Sequence, residues 1–238
     1  MLKELVQYLE DRKINIIEND GMKYTDKPMH LMKVPYPEKL QTNTLDSIAE
    51  YIKNNVDGYY AFRYIIHVLS HDNVRLLSEM TVDGQRWTRV EATAITPRIE
   101  FNRFMDIEQF NIVLQSMFIE DENRNKLLSV IGNISDGTVT AFKDDGYTQG
   151  VNIKAGIKRI GAEQVPNPIV LMPYRTFPEI DQPASKFTLR MQSSNGEGMP
   201  YAALFEADGA AWKIVAIRSI SEYLKSKLED VKDVIILS

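Results

Sequence analysis

RYIIHVLSHDNVRLLSEMTVDGQRWTRVEATAI, residues 63–95, decides the architecture. From Tyr59 onward, β-branched and aromatic residues recur with period two, the pattern of strands with one buried face. The run 63–70 ends at His71-Asp72-Asn73, the run 74–80 at Asp83-Gly84, and a third run spans 87–95. Each break is made of residues that favour turns, so the stretch predicts a three-stranded antiparallel meander, closed by Thr96-Pro97.

Upstream, Leu45, Ile48, Ile52 and Val56 predict a helix capped by Thr42 or Asn43 and ended at Asp57-Gly58. The segment 20–41 is broken by Asp20-Gly21, Pro28, Pro35 and Pro37 and reads as an irregular arm. Before it, Leu2, Leu5, Val6 and Leu9 space out a short amphipathic helix. Downstream, Ile107, Phe110, Leu114 and Met117 predict a helix over 106–119, with Asp106 and Gln109 as a capping pair, and a further helix runs over about 121–131. The helix 106–119 carries no charge between Glu108 and Glu120, which predicts cover on more than one side, by the sheet or by another subunit.

Strands return at 138–144 and 147–155, joined by Asp145-Gly146 as a tight hairpin. Five prolines, Pro166, Pro168, Pro173, Pro178 and Pro183, follow within 18 residues. Proline donates nothing to a ladder, so 169–174 is expected as an edge strand and 177–184 as a rigid loop. The runs 186–193, 200–206 and 211–217 predict a second meander, with turns at Asn195-Gly196 and Asp208-Gly209. Ser219-Ile220-Ser221-Glu222 then reads as the capping box of a last helix, and 234–237 as a closing strand. The only two tryptophans, Trp87 and Trp212, both stand in an Asp-Gly-x-x-Trp frame. The frame is either a relic of duplication or two independent uses of a good turn.

The expected fold is therefore α+β: antiparallel meanders and a central hairpin, about ten strands, packed with about five helices. The expected domains are an N-terminal helix and arm, 1–43, and a core, 44–238, which divides into two similar halves near 135 if the duplication reading holds.

The chain has 238 residues, 44% hydrophobic and 26% charged, enough to bury roughly 70–75% of its unfolded surface. With no cysteine, disulfides, thiolate metal sites and a cysteine nucleophile are excluded. The net charge of −5 argues against a surface coated for phosphate, although a local basic groove survives that average. No run approaches the 18 apolar residues of a membrane span, and the charged N-terminus is not a signal peptide, so a cytoplasmic protein without a membrane partner is expected.

Chemistry-bearing constellations are sparse. His67 and His71 are four apart on predicted strand and turn, about 13 Å along the chain, which does not suit a shared metal. His30 stands alone in the arm, and no nucleophile elbow is present. Asp144-Asp145, Glu120-Asp121-Glu122 and Glu229-Asp230 sit beside turns or helix ends, where acids serve local structure. No phosphate-binding glycine loop occurs. No metal, cofactor or catalytic residue is expected.

Two stretches stand out as binding candidates. In 98–104, Arg98, Asn102 and Arg103 alternate with aromatics, an arrangement able to stack on and neutralise a nucleotide or single strand; the alternative is a turn whose aromatics enter the core. In 173–183, Tyr174, Arg175, Glu179 and Gln182 lie between prolines, which hold polar groups fixed at low entropic cost. The alternative there is an Arg175–Glu179 tie that pins the loop to its own sheet. Arg190, in the run 186–193, completes the candidates.

Several of these residues lie in motifs with a wider resemblance. Glu100-Phe101-Asn102-Arg103-Phe104-Met105-Asp106-Ile107-Glu108-Gln109-Phe110-Asn111-Ile112, Arg175-Thr176-Phe177-Pro178-Glu179 with Gln182-Pro183, and Phe205-Glu206-Ala207-Asp208-Gly209 with Trp212 resemble the YfdQ-like family of phage and prophage proteins. The resemblance runs from about Leu45 to the C-terminus, and the arm departs from it. It implies a phage or prophage origin and action inside a bacterial cell, and it carries over no catalytic residue. The expected function is a non-enzymatic phage-encoded binding protein, homo-oligomeric, engaging single-stranded nucleic acid, a nucleotide-like ligand or a host protein in replication, recombination or anti-defence. The alternatives are a metal-dependent hydrolase or nuclease using Asp144, Asp145 or Glu179, and a structural assembly protein.

Overall fold

The computed structural model describes residues 2–13, 15–19, 22–25, 37–58, 63–81, 84–135, 138–144, 149–155, 158–165, 167–192 and 200–238. They fall into two compact units, 1–38 and 39–238. The first contains α1 (Leu2–Glu10) and an antiparallel hairpin of β1 (Ile16–Asn19) and β2 (Met22–Thr25), within the stretch read as irregular.

The second unit begins with β3 (Leu40–Thr42), also inside the expected arm, and continues through α2 (Leu45–Lys53), β4 (Tyr64–Val68), β5 (Asn73–Leu77), β6 (Thr88–Thr93) and β7 (Met105–Asp106). Next come α3 (Ile107–Met117), α4 (Glu122–Ser135), β8 (Thr138–Asp144), β9 (Gln149–Ala155) and β10 (Lys158–Val165). The chain ends with β11 (Ile169–Leu171), β12 (Ser185–Gln192), β13 (Tyr201–Glu206), α5 (Ala211–Lys227) and β14 (Val234–Leu237). The fold is α+β, with five helices among the described residues, as the alternating and helical periods predict.

The meander of 63–95 forms the middle of a five-stranded sheet, β14-β4-β5-β6-β3. Its β4–β5 and β5–β6 pairs are antiparallel, whereas β14 and β3 add in parallel on either side. Ile66, Val68, Val74, Leu76, Val90 and Ala92 point to one face, where α2 and α5 cover them with Leu45, Ile48, Ile52, Ile220 and Leu224. A second core lies under α3 and α4 on the four-stranded sheet β11-β12-β13-β7, with Phe110, Leu114, Leu127 and Ile131 against Ile169, Leu171, Phe187, Leu189 and Leu204. A third sheet, β10-β9-β8, is antiparallel throughout.

Residues 211–217 are not a strand but the first half of α5, and Ser219-Ile220-Ser221-Glu222 lies in its middle rather than at its cap. Ile214, Val215 and Ile217 carry β propensity, but Trp212, Ala216, Ile220 and Leu224 are the buried positions, a period near four that packing satisfies only as a helix. Trp87 precedes a strand and Trp212 opens a helix, so what the two frames share among the described residues is a left-handed glycine, Gly84 at φ 78° and Gly209 at φ 61°. β14, from beyond residue 135, completes the sheet built before it. β10 was unforeseen, because its glycine and charged residues mask the period. Among the described residues α3 is covered on one side only: Glu108, Gln109, Ile112, Gln115 and Ser116 face outward. His30, Asp83, Asn195-Gly196 and the Asp-Gly pairs at 20–21, 136–137 and 145–146 lie outside the described residues.

Candidate functional site

The proline-bounded loop after β11 turns its polar groups inward. Arg175 is 7% exposed. Its guanidinium lies 3.6 Å from the centre of the Trp212 ring, donates to Glu206 Oε1 at 3.0 Å and reaches Ser185 Oγ. Ser185 in turn donates to Asp208. The anticipated Arg175–Glu179 tie is absent, and Glu206 takes the cation instead. Burial lowers the Arg175 pKa to about 10, opposed by the nearby Glu206 and Asp208 carboxylates, so the side chain stays charged at neutral pH. The His71 ring meets Trp212 edge-on at 4.7 Å, and burial depresses its pKa.

The other loop candidates also serve the fold. Gln182 Oε1 accepts from the N–H groups of Arg175, at 2.8 Å, and Thr176, at 3.2 Å, while its amide donates to Phe177 O. Glu179 Oε1 accepts from Leu45 N at 2.7 Å and so caps α2 from 134 residues away. Tyr174 donates its backbone N–H to Met117 O and leaves its ring partly exposed. Among the described residues no group of three or more His, Asp or Glu side chains could hold a metal ion, and no helix is long and apolar enough to cross a membrane. The side chains of Asp144 and Asp145 lie outside the described residues.

The second stretch leads to a different surface. Residues 102–106 run antiparallel to β13: Asn102 N donates to Leu204 O, and Met105 and Asp106 pair with Ala202 and Tyr201. Asn102 takes a left-handed turn at φ 61°, a conformation asparagine tolerates better than most residues. Because Phe187, Leu189 and Met191 enter the core, alternation sends Thr188, Arg190 and Gln192 to the outer face of the sheet. Their partners Phe205, Ala203 and Tyr201 share that face. Continuing the register brings Phe104 beside Ala203, and its ring meets Phe205 at 6.0 Å and 67°. Phe104 and Tyr201 are 39% and 42% exposed.

The outer face of β12, β13 and β7 is thus an aromatic platform edged with cations. Arg190 lies in its middle row and Lys186 further along β12, opposite Val170. Arg103 stands exposed at its border, paired with Glu100, and Arg98 is exposed on the segment that leads to it. Such a face can stack planar rings and balance a few negative charges. The signal for Phe104 lay in the alternation of 98–104, and that for Tyr201 and Phe205 in the two-residue period of 200–206. Only the register of β13 with its neighbours unites them. No family model, curated protein or solved structure matches the chain.

Proposed function

We propose that this chain is a non-enzymatic binding protein of phage or prophage type that engages single-stranded nucleic acid inside a bacterial cell, as an oligomer. The observation that carries the reading is the outer face of the four-stranded sheet, where Phe104, Phe205 and Tyr201 stand exposed or half-exposed, with exposed Lys186 on the same face, half-buried Arg190 between the rows and Arg103 exposed at the border. Stacking is indifferent to base identity, since every base has a π-face, and cations along the platform's border neutralise the strand's phosphates. A net negative charge does not exclude this, because a few local cations suffice to meet a strand's phosphates. The outer side of α3 carries no charge beyond Glu108 in its first turn, and this stretch, with Ile112 53% exposed, supports self-association.

The test is fluorescence anisotropy with labelled dT20 and rU20 across a salt series. Phe104→Ala or Tyr201→Ala should each weaken binding about 5- to 150-fold, the equivalent of roughly 1–3 kcal/mol per stacked base. Arg103→Ala should lower affinity evenly for all sequences and reduce the salt slope by about 1. Equal affinity of Phe104→Ala and the unaltered protein, or no binding of either oligonucleotide at low salt, rejects the reading.

A further inference from the structure

The five-stranded sheet carries a second recognition surface, separate from the aromatic platform. β14 is its edge strand, parallel to β4. Tyr64 N donates to Asp233 O at 3.0 Å, which fixes the phase of the ladder. In a parallel ladder alternate residues bond the neighbour, so the N–H and C=O groups of Val234 and Ile236 point out of the sheet. Neither meets a partner among the described residues. Native sheet edges are guarded by charge, proline or a bulge, and the Val-Ile-Ile-Leu strand has none of these.

Beside this edge, on the face away from α2 and α5, lies an open pocket of about 320 Å³. Ile65 and Ile235 form its floor, Met80 one wall, and Arg63, Glu79 and Arg86 its rim. Met80, Ile235 and Leu237 are 65%, 44% and 48% exposed. Arg63 leans on Glu79 and Asp233 at 3.9 and 3.6 Å, whereas Arg86 is exposed with no carboxylate beside it among the described residues. The four charges sum to zero, but Arg63 draws both carboxylates and leaves Arg86 as the rim cation able to meet a further one.

We propose that β14 accepts an extended acidic segment of a partner protein as an added strand. Backbone groups of the segment pair with Val234 and Ile236, an apolar side chain enters the Ile65–Met80–Ile235 pocket, and a carboxylate two residues away meets Arg86. This is strand addition, in which the ladder supplies affinity and the pockets for alternate side chains supply specificity. The segment is acidic where it passes Arg86 because that is the rim cation with no carboxylate within ion-pair distance among the described residues, and extended because the bonding groups are those of a strand edge.

The test uses the full chain and a fluorescein-labelled peptide, Thr-Glu-Thr-Val-Thr-Glu-Thr, whose acids and valine share one face. Saturable binding is expected, weakened about tenfold or more by Arg86→Glu or by lysine in place of the peptide's glutamates. A copy of the peptide N-methylated on the bonding edge should not bind, a result that needs no change to the protein. Equal binding of the acidic and basic peptides, undiminished binding of the N-methylated copy, or no saturable binding overturns the proposal. So does a native dimer that falls to one chain in Ile235→Lys, which would seat a second copy on this edge. Because Phe104→Ala leaves this surface untouched, failure here and failure of the nucleic-acid reading are separable.

Discussion

Replacing Arg175 by alanine would leave the Glu206 carboxylate without its cation and expose one face of Trp212 to a void. Only Arg175 is buried, since Glu206 is exposed to solvent, so the loss of its hydrogen bonds and of the packing on Trp212 should cost about 1–3 kcal/mol, read as a lowered midpoint in chemical denaturation followed by tryptophan fluorescence. Arg175→Lys should recover only part of it, because an ammonium cannot stack on the indole while bonding Glu206 and Ser185 together. Glu91 makes the corresponding point on the five-stranded sheet. Hydrogen bonds from Lys39 and Arg75 hold its pKa down to about 2, against an ordinary 4.5. A carboxylate depressed in the folded state contributes stability that is complete above pH 4.5 and lost as pH falls toward 2. Glu91→Gln should therefore flatten the acid limb of stability across that window, measured by denaturant midpoints between pH 2 and 5. At this scale the sequence marks Arg175 and Gln182 as unusual but not their partners, since Glu206, Ser185 and Trp212 are reached only through folding.

Elements with strong local signals form where the sequence places them. α3 starts at Asp106, whose side chain accepts from Gln109 N at 2.8 Å; α2 forms on the expected apolar positions, but its cap is Thr44, not Thr42 or Asn43, with the hydroxyl accepting from Ser47 N, and it ends at Lys53, short of Asp57-Gly58. α5 has no such signal. Its N-cap is Ala210 in a left-handed conformation, φ 63°, with Asp208 Oδ1 accepting the Ala210 N–H at 3.1 Å. A residue with a Cβ is strained there, so Ala210→Gly should stabilise the protein by about 0.5–1 kcal/mol, seen as a raised thermal midpoint. A lowered midpoint would mean that Ala210 is not left-handed in solution. β-branched residues at the start of α5 read as a strand because propensity weighs each residue locally, while the choice of helix comes from Trp212, Ala216, Ile220 and Leu224 finding cover together. The edge position of β11 was readable, because prolines before and after it limit its ladder.

For the molecule as a whole, the two cores and three sheets of residues 39–238 leave several apolar side chains outside: Ile112 on α3, Met80 and Ile235 at the edge of one sheet, Phe104 and Tyr201 on the other. The proposed self-association through α3 predicts a light-scattering mass of more than one chain, reduced by Ile112→Lys. A mass of one chain for the unaltered protein removes that part of the reading. What the sequence by itself determined was the α+β class, the central meander, the helices α2 and α3, with the cap of α3 but not that of α2, and the loop rich in proline, because period, caps and turn residues act over a few positions. Tertiary structure alone decided that β14 and β3 flank the meander in parallel, that Glu179 caps a helix 134 residues away, and that Phe104, Tyr201 and Phe205 share one face. Those outcomes depend on strand register and on burial shared between distant segments, and neither leaves a trace in the spacing of neighbouring residues.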